Sequence, residues 1–354
     1  MKRKKWFILA ALAALVLLLP GAAVYYQAGG ACARCHEIRP AYDRWRLSTH
    51  RNQDCSACHG GLLTADWRFH FDNLRRLAQH LAGRWPEAIR LPHRSLPRLV
   101  ERCADCHRQE YAAWQSGPHS VTYRRIFLDG EHNRKRALMD DCLRCHGMYF
   151  EGPVGELVAP LDTLGPWRLK VPELADRPVL PCLACHQMHR PGEPLKRPWV
   201  EKAVSGPGQP LHRPSLALFD RREMTPVPVR LLPLPAMRQG ARPVKMSPDL
   251  RQGLCYQCHA PLASFQVGSG DDRTPVGVHE GISCLACHER HTQQTRASCA
   301  GCHPKMSNCG LDVEKMDTSF RDPASRHNIH FVACADCHPK GVPARPGRAA
   351  KRAD

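Results

Sequence analysis

A chain of 354 residues, 43% of them hydrophobic, ordinarily folds as two or so domains with conventional apolar cores. Its 31 prolines and 25 glycines count against long regular elements, and its 19 cysteines against a reducing compartment. The formal charge of +18, from 51 Lys and Arg against 33 Asp and Glu, raises nucleic-acid binding as a function class to be weighed.

The chain opens with MKRKK and the apolar run WFILAALAALVLLLPGAAVYY, Trp6 to Tyr26. That run is long enough to cross a bilayer as one helix. The Lys/Arg cluster stays on the cytoplasmic side, which puts the residues after Tyr26 outside the cytoplasm, with Tyr25 and Tyr26 as interfacial aromatics. A cleaved signal peptide is the rival reading, because the Trp6 to Leu19 core is short and Pro20 to Ala23 resembles a processing region. Either reading exports the chain.

Next comes CARCHEIRPAYDRWRLSTHRNQDCSACH, which carries C-x-x-C-H twice, and the whole chain carries it nine times. The thiol pairs are Cys32 and Cys35, Cys55 and Cys58, Cys103 and Cys106, Cys142 and Cys145, Cys182 and Cys185, Cys255 and Cys258, Cys284 and Cys287, Cys299 and Cys302, and Cys334 and Cys337. Each is followed directly by a His: His36, His59, His107, His146, His186, His259, His288, His303 and His338. C-x-x-C-H is the attachment signal of c-type haem; the thiols add to the vinyl groups and the adjacent imidazole binds iron. Zinc ribbons or a disulfide scaffold would also use Cys and His, but neither has reason to place His directly after every second Cys.

Nine covalent haems leave about 39 residues each, so the macrocycles must supply much of the apolar interior. The expected fold is mostly α with extensive irregular loops and little or no β: a multihaem cytochrome c built around packed haems, with one N-terminal transmembrane helix. About 18 haem propionates also account for much of the basic excess as paired charge, and no nucleic-acid partner is expected.

Two local units repeat. Tyr42, Trp45 and His50, after the first motif, stand at relative positions zero, three and eight, and Tyr111, Trp114 and His119 repeat that internal spacing after the third. Tyr and Trp three apart share a helical face, where they can pack on porphyrin, and the His can reach a neighbouring iron. CLACHQMH and CLACHERH place His189 and His291 three residues past a proximal His, too close to bend round their own haem. His50 and His279 precede motifs by the same gap, and His327 and His330 crowd before Cys334. With His80 and His132 these make nine candidate distal ligands, and His70, His93 and His212 are left as spares. The interleaving implies haems packed in pairs, with the tightest spacing at Cys284 and Cys299. Cys309 stands outside the motifs, either inert and buried or a ligand or reactive thiol.

TADWRFHFDNLRRLAQHLAG is the clearest helix, with Thr64 as N-cap, Gly83 as stop, and an apolar stripe of Trp67, Phe71, Leu74, Leu77 and Leu81. The stripe is expected either to cover a haem or to meet the membrane surface. Pro191 to Pro248 is Pro-rich and holds no motif, so it reads as a linker or strap. The implied division is 1–30 basic start and anchor, 31–95 two-haem module, 96–190 three-haem segment, 191–250 linker or strap, 251–340 four-haem segment, and 341–354 basic tail.

Through the anchor, CARCHEIRPAYDRWRLSTH, CSACH and the run ending QHLAG, residues 1–90 resemble the NapC/NirT family of membrane-anchored quinol dehydrogenase cytochromes. The resemblance implies a periplasmic haem domain on a bacterial inner membrane, with electrons passing from membrane quinol to a periplasmic or outer-membrane redox partner protein. Where the family commonly has Met shortly after the first haem His, this chain has Ile38, which leaves His36 as the ligand. The family's quinol pocket tends to contain Lys and Asp, yet no Lys lies between Lys5 and Lys135. Asp72 is then the candidate proton acceptor, with Arg68, Arg75 or Arg76 as electrostatic substitutes. The competing class is a multihaem reductase of nitrite, hydroxylamine, tetrathionate or a similar oxyanion at one open haem.

Overall fold

A computed structural model describes residues 2–27, 29–30, 32–61, 67–84, 93–130, 132–134, 137–189, 216–259, 273–292 and 328–341. The eighth motif (Cys299, Cys302 and His303), His212, Cys309, His327 and Thr64 lie outside them, as do the side chains of His93 and His132. The fold is mostly helical, with short elements, long irregular connections and little strand. It divides into two compact units, Met1–Pro228 and Val229–Asp354.

In the first unit the helices are α1 (Lys2–Gln27), α2 (Arg39–Arg46), α3 (Cys55–His59), α4 (Trp67–Leu81), α5 (Leu96–Cys106), α6 (Arg108–Ser116), α7 (Tyr123–Phe127), α8 (Leu143–His146) and α9 (Val154–Leu157). Two antiparallel hairpins pair β1 (Val158–Ala159) with β2 (Arg168–Leu169), and β3 (Ala217–Asp220) with β4 (Thr225–Pro228). The helix α1 runs unbroken through the apolar N-terminal stretch, but several of its side chains are outside the description. Among the described residues no helix is long and apolar enough to cross a membrane.

A conventional apolar core does form, around the fourth motif rather than throughout. Tyr123, Phe127, Leu143, Leu157, Val158, Trp167 and Val179 pack together, and Phe127, Leu143, Leu157 and Val158 are fully buried. A second cluster joins Leu96, Met148, Tyr149, Ala184 and Phe219, with the Tyr149 and Phe219 rings stacked 3.9 Å apart. The Tyr149 hydroxyl donates to the Leu183 carbonyl at 2.8 Å, and Ala217 N–H donates to Cys185 O at 3.1 Å. Part of the Pro-rich stretch is thus a hairpin, β3–β4, laid against the fifth motif.

The second unit holds the hairpin β5 (Arg238–Gln239) and β6 (Arg242–Pro243), then α10 (Gln252–His259), α11 (Cys284–Cys287) and α12 (Cys334–Cys337). Gln252, fully buried, ties α10 to the next motif: its side-chain oxygen accepts from Cys284 N–H at 3.1 Å while its amide donates to Ser247 O at 3.3 Å. Gly277 sits at φ +74°, where a Cβ would meet the Val332 carbonyl oxygen at 2.2 Å, so only Gly fits this close crossing of two backbones. On either side of it Val276 N–H bonds to His330 O and Val278 N–H to Val332 O.

Candidate haem-binding site

Each described C-x-x-C-H lies on a helix or a single tight turn. Residues three and four apart share a face there, which is the arrangement that two thiols and an imidazole need to meet one haem. The motifs differ in what surrounds them. Leu143, between Cys142 and Cys145, is a core residue, whereas Cys58 and Cys106 are exposed.

The sequence repeat recurs in space. Tyr42 and Trp45 have ring centroids 5.4 Å apart at 41°, and Tyr111 and Trp114 have theirs 5.6 Å apart at 42°. The two indole N–H groups are anchored, to His50 O at 3.0 Å and to Leu180 O at 3.2 Å.

The histidines are brought together in pairs. His59 faces His189 with centroids 5.9 Å apart and planes 25° from parallel. His288 faces His330 at 6.0 Å and 26°, and His107 faces His50 at 6.1 Å and 71°. A His nitrogen stands about 2.0–2.1 Å from a bound transition metal, so imidazoles on opposite sides of one iron have centroids about 6 Å apart. His36 and His80 stand somewhat closer, at 5.1 Å and 52°. Each pair joins a motif His to one of the candidate distal ligands, and the three donor sets near 6 Å fit haem iron.

Burial favours the neutral form, the one that binds iron, in four of these imidazoles. It pushes His189 down to about 4, with help from His59 and Arg44. His330 is likewise lowered to about 4 by burial first and then by His288, Arg273, His279 and His259. Burial also lowers His59 and, with nearby His107, His50. His279 Nδ1–H donates to the Ile329 carbonyl at 3.0 Å, a tautomer that leaves Nε2 for a metal. His119 lies half-buried in the turn Pro118–Ser120, and His291 is half-buried just beyond α11.

Thiols of different motifs also meet. Cys103 hydrogen-bonds Cys182, and Cys58 lies near Cys103 and Cys106, so attachment points of the second, third and fifth motifs converge. In the second unit Cys255 hydrogen-bonds Cys284, which brings the sixth and seventh motifs together.

Two residues escaped sequence reasoning. Glu37, directly after His36, is half-buried and places Oε1 2.7 Å from His80 Nδ1 and 3.6 Å from His36 Nε2. Its carboxyl is held below the usual range by its own backbone amide and then by His80. A carboxylate on Nδ1–H fixes the tautomer and raises the basicity of the other nitrogen. His36, Glu37 and His80 bring one donor atom each within 4.8 Å of one another. Glu37→Gln is expected to raise the midpoint potential of the first haem by on the order of 59 mV, a tenfold change in a one-electron equilibrium, as read by spectropotentiometry. An unchanged titration would remove Glu37 from the site. His70, set among the spares, has a buried Nε2 without a hydrogen-bond partner among the described residues, as suits a nitrogen meant for another ligand. Adjacency to a motif was the available signal for Glu37; for His70 there was none.

The candidate quinol residues lie on α4. Asp72 is ion-paired with Arg94, Arg68 holds its guanidinium over the Trp67 ring at 5.6 Å, and Arg76 donates to Asn73 Oδ1 at 3.4 Å. Arg75 is exposed.

The family model described as cytochrome c554 and c-prime matches residues 102–160, across the third and fourth motifs. The model described as cytochrome c7 and related cytochrome c matches residues 242–304, across the sixth, seventh and eighth. The chain is a multihaem c-type cytochrome. It binds c-type haem covalently and transfers electrons through it. No curated protein and no solved structure matches the chain.

Proposed function

We propose that this cytochrome carries nine haems, is anchored in a bacterial inner membrane with its haem domain in the periplasm, takes electrons from membrane quinol and relays them to a periplasmic or outer-membrane acceptor. The observation that carries the relay reading is the His–His pairing at about 6 Å. Bound c-type haem supplies reversible one-electron chemistry at iron. On this reading His59 with His189, His107 with His50, and His288 with His330 would each hold one haem iron, and His36 and His80 would serve the first motif. Two imidazoles would fill the positions of each iron so held, and this supports relay over oxyanion reduction at those motifs.

Support for the anchor comes from the sequence, through the basic start and the apolar run Trp6 to Tyr26, and from the resemblance of residues 1–90 to quinol dehydrogenase cytochromes. EPR of the oxidised protein tests the relay. Low-spin ferric signals throughout, indifferent to nitrite and hydroxylamine, are expected; a high-spin signal that shifts with either would make the protein a reductase.

Asp72, held in place by Arg94, is the proposed proton acceptor beside the first haem. Asp72→Asn is expected to slow quinol-dependent reduction by about 100-fold, the lower end of general-base effects, while leaving dithionite reduction unchanged. Equal quinol rates in the two proteins would take Asp72 out of the mechanism.

A further inference from the structure

The helix α4 is turned inside out. Its apolar stripe faces outward: Trp67 is 69% exposed, Phe71 59%, Leu74 63%, Leu77 49% and Leu81 78%. A half-buried face beside it carries Phe69, Asn73, Arg76 and His80. Every motif residue that α4 is seen to meet is met from that inner face, His36 and Glu37 through His80 and His59 through Phe69. A contiguous exposed apolar strip of this kind marks an interaction surface.

Charge and position identify the partner. Arg68 and Arg75 are exposed along one border of the stripe, Arg68 lying over the Trp67 ring, and the one carboxylate of α4, Asp72, is paired with Arg94. Apolar stripe, aromatic residue and Arg border together are the pattern of a helix lying in a membrane interface, and the cationic border selects anionic headgroups. The end of α1 adjoins the start of this helix, with the Tyr26 and His70 rings 6.4 Å apart.

We propose that α4 lies flat on an anionic lipid bilayer, its stripe sunk to the headgroup–acyl boundary and Arg68 and Arg75 among the lipid phosphates. The inference rests on the membrane placement argued above, but not on quinol oxidation. One consequence is that His80 hangs one helix diameter, about 10 Å, from the lipid, so the first motif is held at the surface from which an apolar reductant arrives.

The test uses the full chain with Cys309→Ser and Leu74→Cys, one copy per nanodisc, made of phosphatidylcholine with or without phosphatidylglycerol. The new thiol is reacted with a charged, water-soluble maleimide and with a lipid-soluble one, and Thr225→Cys in the same background serves as the exposed control. In anionic discs the water-soluble reagent is expected to react about tenfold more slowly at Leu74→Cys than at the control, with the lipid-soluble reagent remaining fast. Removing phosphatidylglycerol, or introducing Arg68→Gln with Arg75→Gln, should return the water-soluble rate towards the control. Fast reaction with both reagents would put the stripe in water, and slow reaction with both would put protein or another group over it; either result overturns the proposal. No quinol takes part in these rates, so a failure of the quinol reading leaves them unchanged.

Discussion

His189→Ala is expected to convert one ferric low-spin signal to high spin and to raise the midpoint potential of one haem by on the order of 0.1 V, within the ~0.8 V range that axial ligands command. The argument is geometric. His189 lies three residues beyond His186 of the fifth motif, yet its ring stands 5.9 Å from that of His59 in the second motif and nearly parallel to it. Burial holds it neutral down to about pH 4, so its lone pair is available throughout the working range. Removing the ring takes one of two imidazoles from the second motif's iron and leaves the fifth motif's thiols and His186 in place. The readouts are EPR of the oxidised protein and a spectropotentiometric titration. Retention of every low-spin signal, with an unchanged titration, would show that His189 is not that ligand.

The second large effect is on stability. Leu143→Ala is expected to cost the first unit about 2–5 kcal/mol, the range for deleting a fully buried Leu side chain. At about 2–4 °C per kcal/mol for a unit of this size, the thermal midpoint should fall by roughly 5–15 °C. Leu143 is 0% exposed and packs with Tyr123, Phe127 and Leu157. It is also an interior residue of a C-x-x-C-H, so the core grips the turn that presents Cys142, Cys145 and His146. Leu143→Met nearly conserves volume and should cost under ~1.5 kcal/mol. Melting curves of the haem-loaded protein compare the two; equal midpoints for the Ala and parent proteins would mean that this core does not hold the fourth motif.

The haem motifs were legible because covalent attachment needs two thiols and an imidazole on one turn, and residues on one turn are neighbours in sequence. The Tyr, Trp and His units were legible for the same reason, and both recur with nearly identical ring geometry. The helix running to Gly83 was also legible: α4 ends at Leu81, and Gly83, at φ +69°, closes it with its N–H on His80 O. Its orientation was not. An amphipathic pattern says which residues share a face but not what that face meets, and here the polar face with His80 turned inward. The compact core around Leu143 was likewise outside the expectation that macrocycles alone would fill the interior, since its members are spread from Val121 to Leu180 and converge only when α7, α8, α9 and the β1–β2 hairpin pack.

By itself, then, the sequence determined the chemistry: covalent haem, with an imidazole beside each thiol pair and enough further imidazoles to fill the opposite side. Tertiary structure alone decided which imidazoles face each other. His189 reaches His59, and His50 passes over its own neighbouring motif to meet His107. Such pairings set segments distant in the chain a few ångströms apart. Any of the candidate histidines satisfies the local chemistry equally well, and only burial, packing and the close crossing at Gly277 select among them.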